Sequence, residues 1–210
     1  MKKILFFLFL LFCLITSSVG YSMEMNEKLI GKYIVIDVGH GGLDSGTVVD
    51  DVLEKDLNLQ IALKLRDVLV QNGASVLLTR DGDYDLSSPN AERRKKSDFD
   101  NRISLINNSG ADLYISIHMN YLDDKRYSGA QVFYTEGNEL LAGCIQKAFD
   151  NSFHEKMISN DIYMYKKLTI PGVLIECGFL SNDKERNLLL NEDYQWNLVA
   201  KIIKGLKVFY

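Results

Sequence analysis

Residues that can bind a metal ion or move a proton stand close behind three apolar runs of the sequence. The runs and the residues behind them are Tyr33–Val38 with His40, Leu113–Ile117 with His118, and Val173–Ile175 with Glu176. Glu54 stands just before a helical pattern that begins at Lys55 or Asp56, on the return from the first run. Open α/β sheets bind ligands beyond the carboxyl ends of their strands, so we expect these four side chains to converge.

Two histidines and one carboxylate are a common catalytic zinc set, in which three protein ligands leave one position for water. We therefore predict that His40, Glu54 and His118 hold Zn²⁺. A fourth protein ligand would close the site, so Glu176 is predicted to be the catalytic base beside it. Each residue also has a structural explanation, such as a turn for His40 or complementing a helix dipole for Glu54, but these would have to coincide at four equivalent positions.

A cysteine hydrolase is the first alternative, because Cys177 lies close to the same predicted strand end and could pair with His118. Successive side chains of a strand point to opposite faces, so Cys177 would point away from Glu176 if the strand continues. Whether Cys144 and Cys177 form a disulfide is left open. The third histidine, His154, lies in a polar run and is predicted to be at the surface.

Short apolar runs alternate with longer amphipathic runs from Tyr33 onward, which predicts one α/β domain over residues 24–210 with a mostly parallel sheet and covering helices. A long loop is expected over residues 81–98. The predicted strands are Tyr33–Val38, Val76–Thr79, Leu113–Ile117, Ala130–Thr135 and Val173–Ile175, the fourth being more exposed and a candidate for antiparallel pairing. Helices are predicted around residues 57–69, 99–106, 140–149 and 198–206.

The first twenty residues have the pattern of an export signal. Lys2 and Lys3 precede the apolar run Ile4–Ile15, and small residues at Ser18 and Gly20 suit cleavage after Gly20. The run is shorter than the roughly 20 apolar residues of a membrane-spanning helix. We expect a signal peptide over residues 1–20 and export across the cytoplasmic membrane. If the signal is not cleaved, it would tether the domain to the outer face of the membrane.

The charge of the chain argues against nucleic acid as a partner. The 210 residues carry 24 basic and 28 acidic side chains, a formal net charge of -4. A nucleic-acid protein draws much of its affinity from a basic surface that neutralises phosphates. The basic run Arg93–Lys96 is expected in a solvated loop and not in a binding patch.

Five ordered stretches resemble the zinc-dependent N-acetylmuramoyl-L-alanine amidases. They are Ile34–Gly42, Glu54–Leu59, Leu78–Arg80, Ser116–Asn120 and Pro171–Asn182. The resemblance implies a mixed six-stranded sheet flanked by helices and cleavage of the amide between muramic acid and L-alanine in peptidoglycan. It also implies zinc bound by His40, Glu54 and His118, with Glu176 as the catalytic carboxylate. Asn120 and Arg102 match family positions, either as substrate contacts or as support for the site.

The small size and the export signal most resemble the spore-cortex amidases, which act with a deacetylase to make muramic-δ-lactam for germination. The sequence shows no attached wall-binding module, and Tyr121–Gly172 is too short for the occluding helix of some division amidases. We expect the enzyme in the cell wall or spore cortex. The second alternative is a peptidoglycan-binding protein on the same fold, either noncatalytic or dependent on an activating partner.

Overall fold

The computed structural model describes residues 27–150, 153–158 and 162–210. The expected signal peptide at 1–20 lies outside these residues, as does the beginning of the expected domain at 24–26. Within the described ranges, no helix combines the length and the apolar composition needed to cross a bilayer.

A mixed sheet of six strands forms the centre of the fold, as expected. In spatial order the strands are β4 (Ser75–Leu78), β1 (Tyr33–Val38), β5 (Leu113–Asn120), β8 (Gly172–Phe179), β6 (Gln131–Tyr134) and β7 (Lys156–Met157). The first four strands are parallel to one another. Strand β6 is antiparallel to β8, which confirms the antiparallel pairing expected for Ala130–Thr135. A separate hairpin joins β2 (Val48–Val49) to β3 (Val52–Leu53).

Helices cover both faces of this sheet. They are α1 (Glu54–Gln71), α2 (Arg94–Asn107), α3 (Glu139–Phe149), α4 (Asp183–Leu189) and α5 (Glu192–Phe209), with 3-10 turns at Glu27–Leu29 and Tyr165–Lys167. Helices α1, α3 and α5 bury the larger apolar core against one face. Helix α2 and the segment that contains Tyr165 bury a smaller core against the other. The central strands are apolar on both sides because both sides are covered.

Strands β5 and β8 extend beyond the apolar runs that predicted them. His118 and Glu176 were expected after these strands, but they lie inside them as a directly paired couple. The pairing register shifts between His118 and Asn120, so that Asn120 lies opposite Phe179. Backbone hydrogen bonds continue the ladder through polar residues, which an apolar run alone does not reveal.

The long loop before α2 is shorter than expected. Arg94 opens the helix, so the basic run Arg93–Lys96 lies mostly in the first turn of α2 and not in a solvated loop. The Arg94 side chain forms an ion pair with Asp85 of the preceding loop. Lys95 and Lys96 also form ion pairs, with Asp44 at 3.5 Å and with Asp100 at 2.5 Å, so three of the four charges are neutralised within the chain.

Candidate metal centre and catalytic carboxylate

Three elements bring the predicted metal ligands together. His40 lies in the loop after β1, Glu54 is the first residue of α1, and His118 lies on β5. Glu54 Oε1 is 3.1 Å from His40 Nε2 and 3.0 Å from His118 Nδ1. One ligand atom from each residue lies within 4.8 Å of the other two. The arrangement suits one metal ion with two nitrogen ligands and one oxygen ligand.

The Glu54 carboxylate is fixed on the protein side by hydrogen bonds. Its Oε2 accepts the N–H of Thr47 at 2.9 Å, and its Oε1 accepts the N–H of Met119 at 3.2 Å. Asn58, one turn later on α1, donates its amide to the carbonyl of Gly39 at 3.1 Å. Burial opposes ionisation of Glu54, but hydrogen bonds to the two histidines outweigh it and hold its pKa well below the usual range. The carboxylate is therefore ionised, as a metal ligand must be.

His40 is oriented by a neighbouring carboxylate. Its backbone has a φ of 60°, in the left-handed region, and its Nδ1 lies 3.0 Å from Asp44 Oδ2. Burial disfavours the charged form of His40, but hydrogen bonds to Asp44 and Glu54 outweigh it and raise its pKa to about 9. A proton on Nδ1 shared with Asp44 leaves Nε2 facing Glu54. Such carboxylate–histidine pairs are typical of metal sites, where they fix the ring orientation.

Two glycines leave the room that the ligands occupy. A Cβ at Gly39 would lie 2.4 Å from Cε1 of His118, so a larger residue would displace that ring. A Cβ at Gly46 would lie 2.7 Å from both Glu54 Oε2 and His40 Cδ2. The glycine of the sequence motif before His40 therefore has a steric function in the site.

Glu176 lies beside His118 on the sheet, directly opposite it in the pairing of β5 with β8. Its Oε2 is buried and has no hydrogen-bond partner among the described residues. Burial raises the pKa of Glu176 to about 7, against the lowering effect of His118 and with a further raising effect of Glu54. A carboxyl group of this pKa can accept and release a proton near neutral pH.

Arg102 supports the loop that carries His40. This fully buried side chain of α2 donates to the carbonyls of Val38 and His40, each at 2.5 Å. It also forms ion pairs with Asp37 at 2.9 Å and with Asp98 at 2.8 Å. Of the two roles left open for Arg102, these contacts favour support of the site.

Asn120 lies at the end of β5, two residues beyond His118. Its Oδ1 accepts the N–H of Tyr121 at 2.8 Å, and its backbone carbonyl accepts the N–H of Leu180 at 2.9 Å. These bonds shape the turn after the strand.

Cys177 lies in the larger apolar core, on the sheet face opposite Glu176. Burial raises its thiol pKa far above the usual value, and the nearby Glu176 and Glu185 raise it further. A nucleophilic cysteine needs an accessible thiolate, so the geometry excludes the cysteine hydrolase alternative. Cys144 and Cys177 are both free, and Cys144 is only half-buried. His154 is exposed, as predicted.

Two residues that support the site were not singled out from the sequence. Asp44 orients His40, and Asn58 links Glu54 to the loop after β1. Both stand four residues after a predicted ligand. For Asn58 this spacing places it on the same helix face as Glu54, a signal that could have been used. Asp44 lies in a loop, where spacing alone carries no such information.

Comparison with known proteins gives consistent matches over the described domain. Residues 34–208 match the family model of N-acetylmuramoyl-L-alanine amidase. A germination-specific N-acetylmuramoyl-L-alanine amidase of Bacillus subtilis (strain 168) is 38% identical over an alignment of 227 positions, which covers 100% of this chain and 96% of the relative.

Solved structures with the same fold are also similar in sequence. The CwlD amidase of Clostridioides difficile, in complex with the GerS lipoprotein, superposes with a TM-score of 0.80 and 39% identity, over 85% of this chain and 98% of that one. The catalytic domain of the amidase CwlV of Bacillus (Paenibacillus) polymyxa gives a TM-score of 0.73 and 30% identity, over 85% of this chain and 97% of that one.

Proposed function

Because the chain belongs to the N-acetylmuramoyl-L-alanine amidase family, we propose that it is a zinc enzyme that opens the muramic acid–L-alanine amide of peptidoglycan in the spore cortex. The amidase activity follows from the family and from the similarity to named amidases over the full chain. One observation supports the zinc site most strongly. The ligand atoms of His40, Glu54 and His118 lie within 4.8 Å of one another, and Glu176 is the strand neighbour of His118.

The donor set fits zinc in type and in number. Two imidazole nitrogens and one carboxylate oxygen are a known catalytic combination, and three ligands leave a position for water. His40, whose pKa is raised to about 9, would release the proton of its metal-facing nitrogen when the ion binds. Asp44, which accepts from the far nitrogen of His40, supplies the outer hydrogen bond that such ligands usually have. When bound, zinc would lower the pKa of a bound water toward roughly 7 and polarise the substrate carbonyl.

Glu176 is the proposed catalytic base. Its unpaired oxygen accepts a proton from the attacking water, whose hydroxide part forms a bond with the carbonyl carbon of the amide. The same carboxyl group then delivers this proton to the alanine nitrogen as the C–N bond breaks. The products are a free lactyl carboxylate on the sugar and a free amino group on the peptide, so atoms and charges balance. Arg102 holds the loop of His40 in place throughout, and Asn120 shapes the adjoining turn.

We also propose that the protein is exported and that it binds a protein partner. The sequence pattern of residues 1–20 supports export with cleavage after Gly20, and the 38% identity to a germination-specific amidase supports action on spore cortex before muramic-δ-lactam forms. The similar C. difficile amidase was solved with a lipoprotein, which supports a protein partner for this chain too. N-terminal analysis of the exported protein tests the cleavage: a chain that starts at Tyr21 is expected, and an intact Met1 in the membrane fraction would indicate a tether.

Mass analysis of muropeptides tests the bond that is cleaved. The protein is incubated with intact cortex peptidoglycan, with zinc and after zinc removal. Free lactyl ends and L-alanine amino ends are expected when zinc is present and are not expected after zinc removal. Cleavage at another bond would contradict the reaction. Zinc-loaded protein that binds peptidoglycan but is inert until a partner is added would favour the partner-dependent alternative.

Metal analysis of variants tests the ligand set. His40→Ala and His118→Ala should each lose most of the bound zinc as well as activity, because two protein ligands hold the ion less firmly than three. His154→Ala is the matched control, since His154 is exposed and outside the group. Full zinc content in both ligand variants would refute the proposed set.

A further inference from the structure

A cavity of about 240 Å³ extends from the metal-ligand candidates along the sheet face that α2 covers. Leu174 lies two residues before Glu176 on the same face of β8 and therefore lines the cavity directly beneath it. Phe99 of α2 and Met164 contribute the facing apolar walls. Leu174 and Met164 are 7% and 4% exposed, so their side chains are held in place by packing.

Apart from Glu176, the polar groups at the inner end of this cavity are already hydrogen-bonded. Asp37 accepts the hydroxyl of Ser116 at 2.6 Å and the guanidinium of Arg102 at 2.9 Å, and the Tyr165 hydroxyl lies 3.1 Å from that of Ser116. An incoming polar group would have to break one of these bonds. Below the unpaired oxygen of Glu176, the surface left to a ligand is therefore apolar.

The wall that carries Met164 is fastened to α2. The hydroxyl of Tyr163 donates to Asp100 at 2.5 Å, and Lys96 donates to the other oxygen of Asp100 at 2.5 Å. Lys167 in turn donates to the Tyr163 hydroxyl at 2.9 Å. The Tyr163–Asp100 bond joins this segment to α2, and the bond between the hydroxyls of Tyr165 and Ser116 joins it to β5 of the sheet, so the cavity has a defined size.

The order of the chemical groups along the substrate decides which part of it enters the cavity. In the proposed reaction, which this step assumes, Glu176 delivers a proton to the amide nitrogen, while the carbonyl faces the three metal ligands. The nitrogen and the Cα bonded to it therefore lie on the Glu176 side of the bond. Part of the cavity is lined by His40 and His118, where the reacting amide lies, so only its apolar end is left for a side chain. We infer that this apolar end is the subsite for the side chain of the first stem-peptide residue, the L-alanine methyl group, and that Leu174 and Met164 limit the size accepted.

Substrates that differ only in this residue test the inference. Synthetic disaccharide tetrapeptides with glycine, L-alanine, L-valine or L-leucine after the muramic acid are cleaved by the zinc-loaded protein, and kcat/KM is measured for each. The wild type should favour alanine. Leu174→Ala and Met164→Ala should raise the leucine-to-alanine ratio about tenfold or more, and Leu174→Phe should lower the alanine-to-glycine ratio by a similar factor.

Val173→Ala is the matched control, because Val173 is the neighbour of Leu174 on β8 but lies in the core on the opposite face. It should lower thermal stability and leave the substrate ratios unchanged. Unchanged ratios in both alanine variants would overturn the inference, even if Leu174→Phe does not fold. The proposed function is judged separately, by the wild type. Cleavage of the alanine substrate by the wild type would support the proposed function even if the substrate ratios are unchanged in the variants, whereas no cleavage of this substrate would contradict the proposed function.

Discussion

At the scale of single residues, one oxygen atom organises the site. Glu54 Oε1 lies within 3.1 Å of a nitrogen from each of two histidines, and backbone N–H groups hold the carboxylate from behind. The sequence predicted this residue, both histidines and Glu176 because each adjoins a recognisable element. It did not predict Asp44 or Asn58, whose contributions depend on hydrogen bonds formed only in the folded chain.

Replacement of Glu176 by Gln removes the proton acceptor and keeps the shape of the side chain. Turnover should fall by about 10² to 10⁴, because proton transfer in both halves of the reaction is lost. Bound zinc should stay at the wild-type level, since Glu176 is not among the three ligand candidates. Steady-state kinetics and metal analysis measure the two effects, with the exposed Glu192→Gln as control. Near-normal turnover would remove Glu176 from the mechanism.

Replacement of Asp44 by Ala removes the acceptor for the Nδ1 proton of His40. Zinc affinity should fall by roughly 10 to 100-fold, because the imidazole loses the bond that fixes its orientation. Asp44→Asn keeps an oxygen that can accept the same bond, so its affinity should lie closer to the wild type. Competition with a chromogenic chelator measures both variants. Equal affinity in the wild type and Asp44→Ala would show that Asp44 does not position His40.

At the scale of secondary structure, adjacent strands and the start of one helix carry the site. The order of apolar and amphipathic runs predicted β1, β4, β5, β6 and β8 and four of the helices, because these elements are buried on one face or two. The ends of β5 and β8 were predicted too early, because the polar residues His118 and Glu176 interrupt the apolar runs, while the backbone ladder continues through this pair. Helix α2 acts on the site from outside the sheet, through Arg102.

Replacement of Arg102 by Met tests this support from α2. Burial opposes ionisation of Asp37, but Arg102 outweighs it and lowers the pKa of Asp37, with help from Ser116. The wild-type pair therefore stabilises the fold above the unfolded pKa of about 4, and this contribution is lost as the pH falls through the lower folded value. Without the guanidinium, buried Asp37 keeps its hydroxyl hydrogen bonds but has no positively charged partner at neutral pH, and the variant should lose about 3 to 5 kcal/mol of stability there.

The difference between wild type and Arg102→Met should shrink as the pH decreases, because protonation removes the unpaired charge in the variant. Urea unfolding at neutral pH and at about pH 4 measures it. Arg93→Met, just before the same helix and exposed, is the control. A stability difference that stays constant over this range would show that the charge pair is not its source.

At the scale of the whole molecule, two helical layers of unequal size enclose the sheet and leave the site open at the carboxyl edge. The described chain enters at the opposite edge, where Lys28 donates to the carbonyl of Lys207 at 2.8 Å and Gly31 donates to that of Gly73 at 3.1 Å. The sequence predicted the single α/β domain and its sheet. It did not predict β7 or the turn at Tyr165–Lys167, which are too short to show a periodicity.

We propose that cleavage of the muramic acid–alanine amide requires one zinc ion held by His40, Glu54 and His118, and titration with zinc tests this requirement most directly. Zinc is removed from the purified full chain and added back stepwise, while bound zinc and newly formed L-alanine amino ends in cortex peptidoglycan are measured together. Activity should rise in proportion to bound zinc and reach its maximum at one ion per chain. Full cleavage by the zinc-free protein would contradict this requirement. So would a complete lack of cleavage when one zinc is bound per chain and a protein partner has been added.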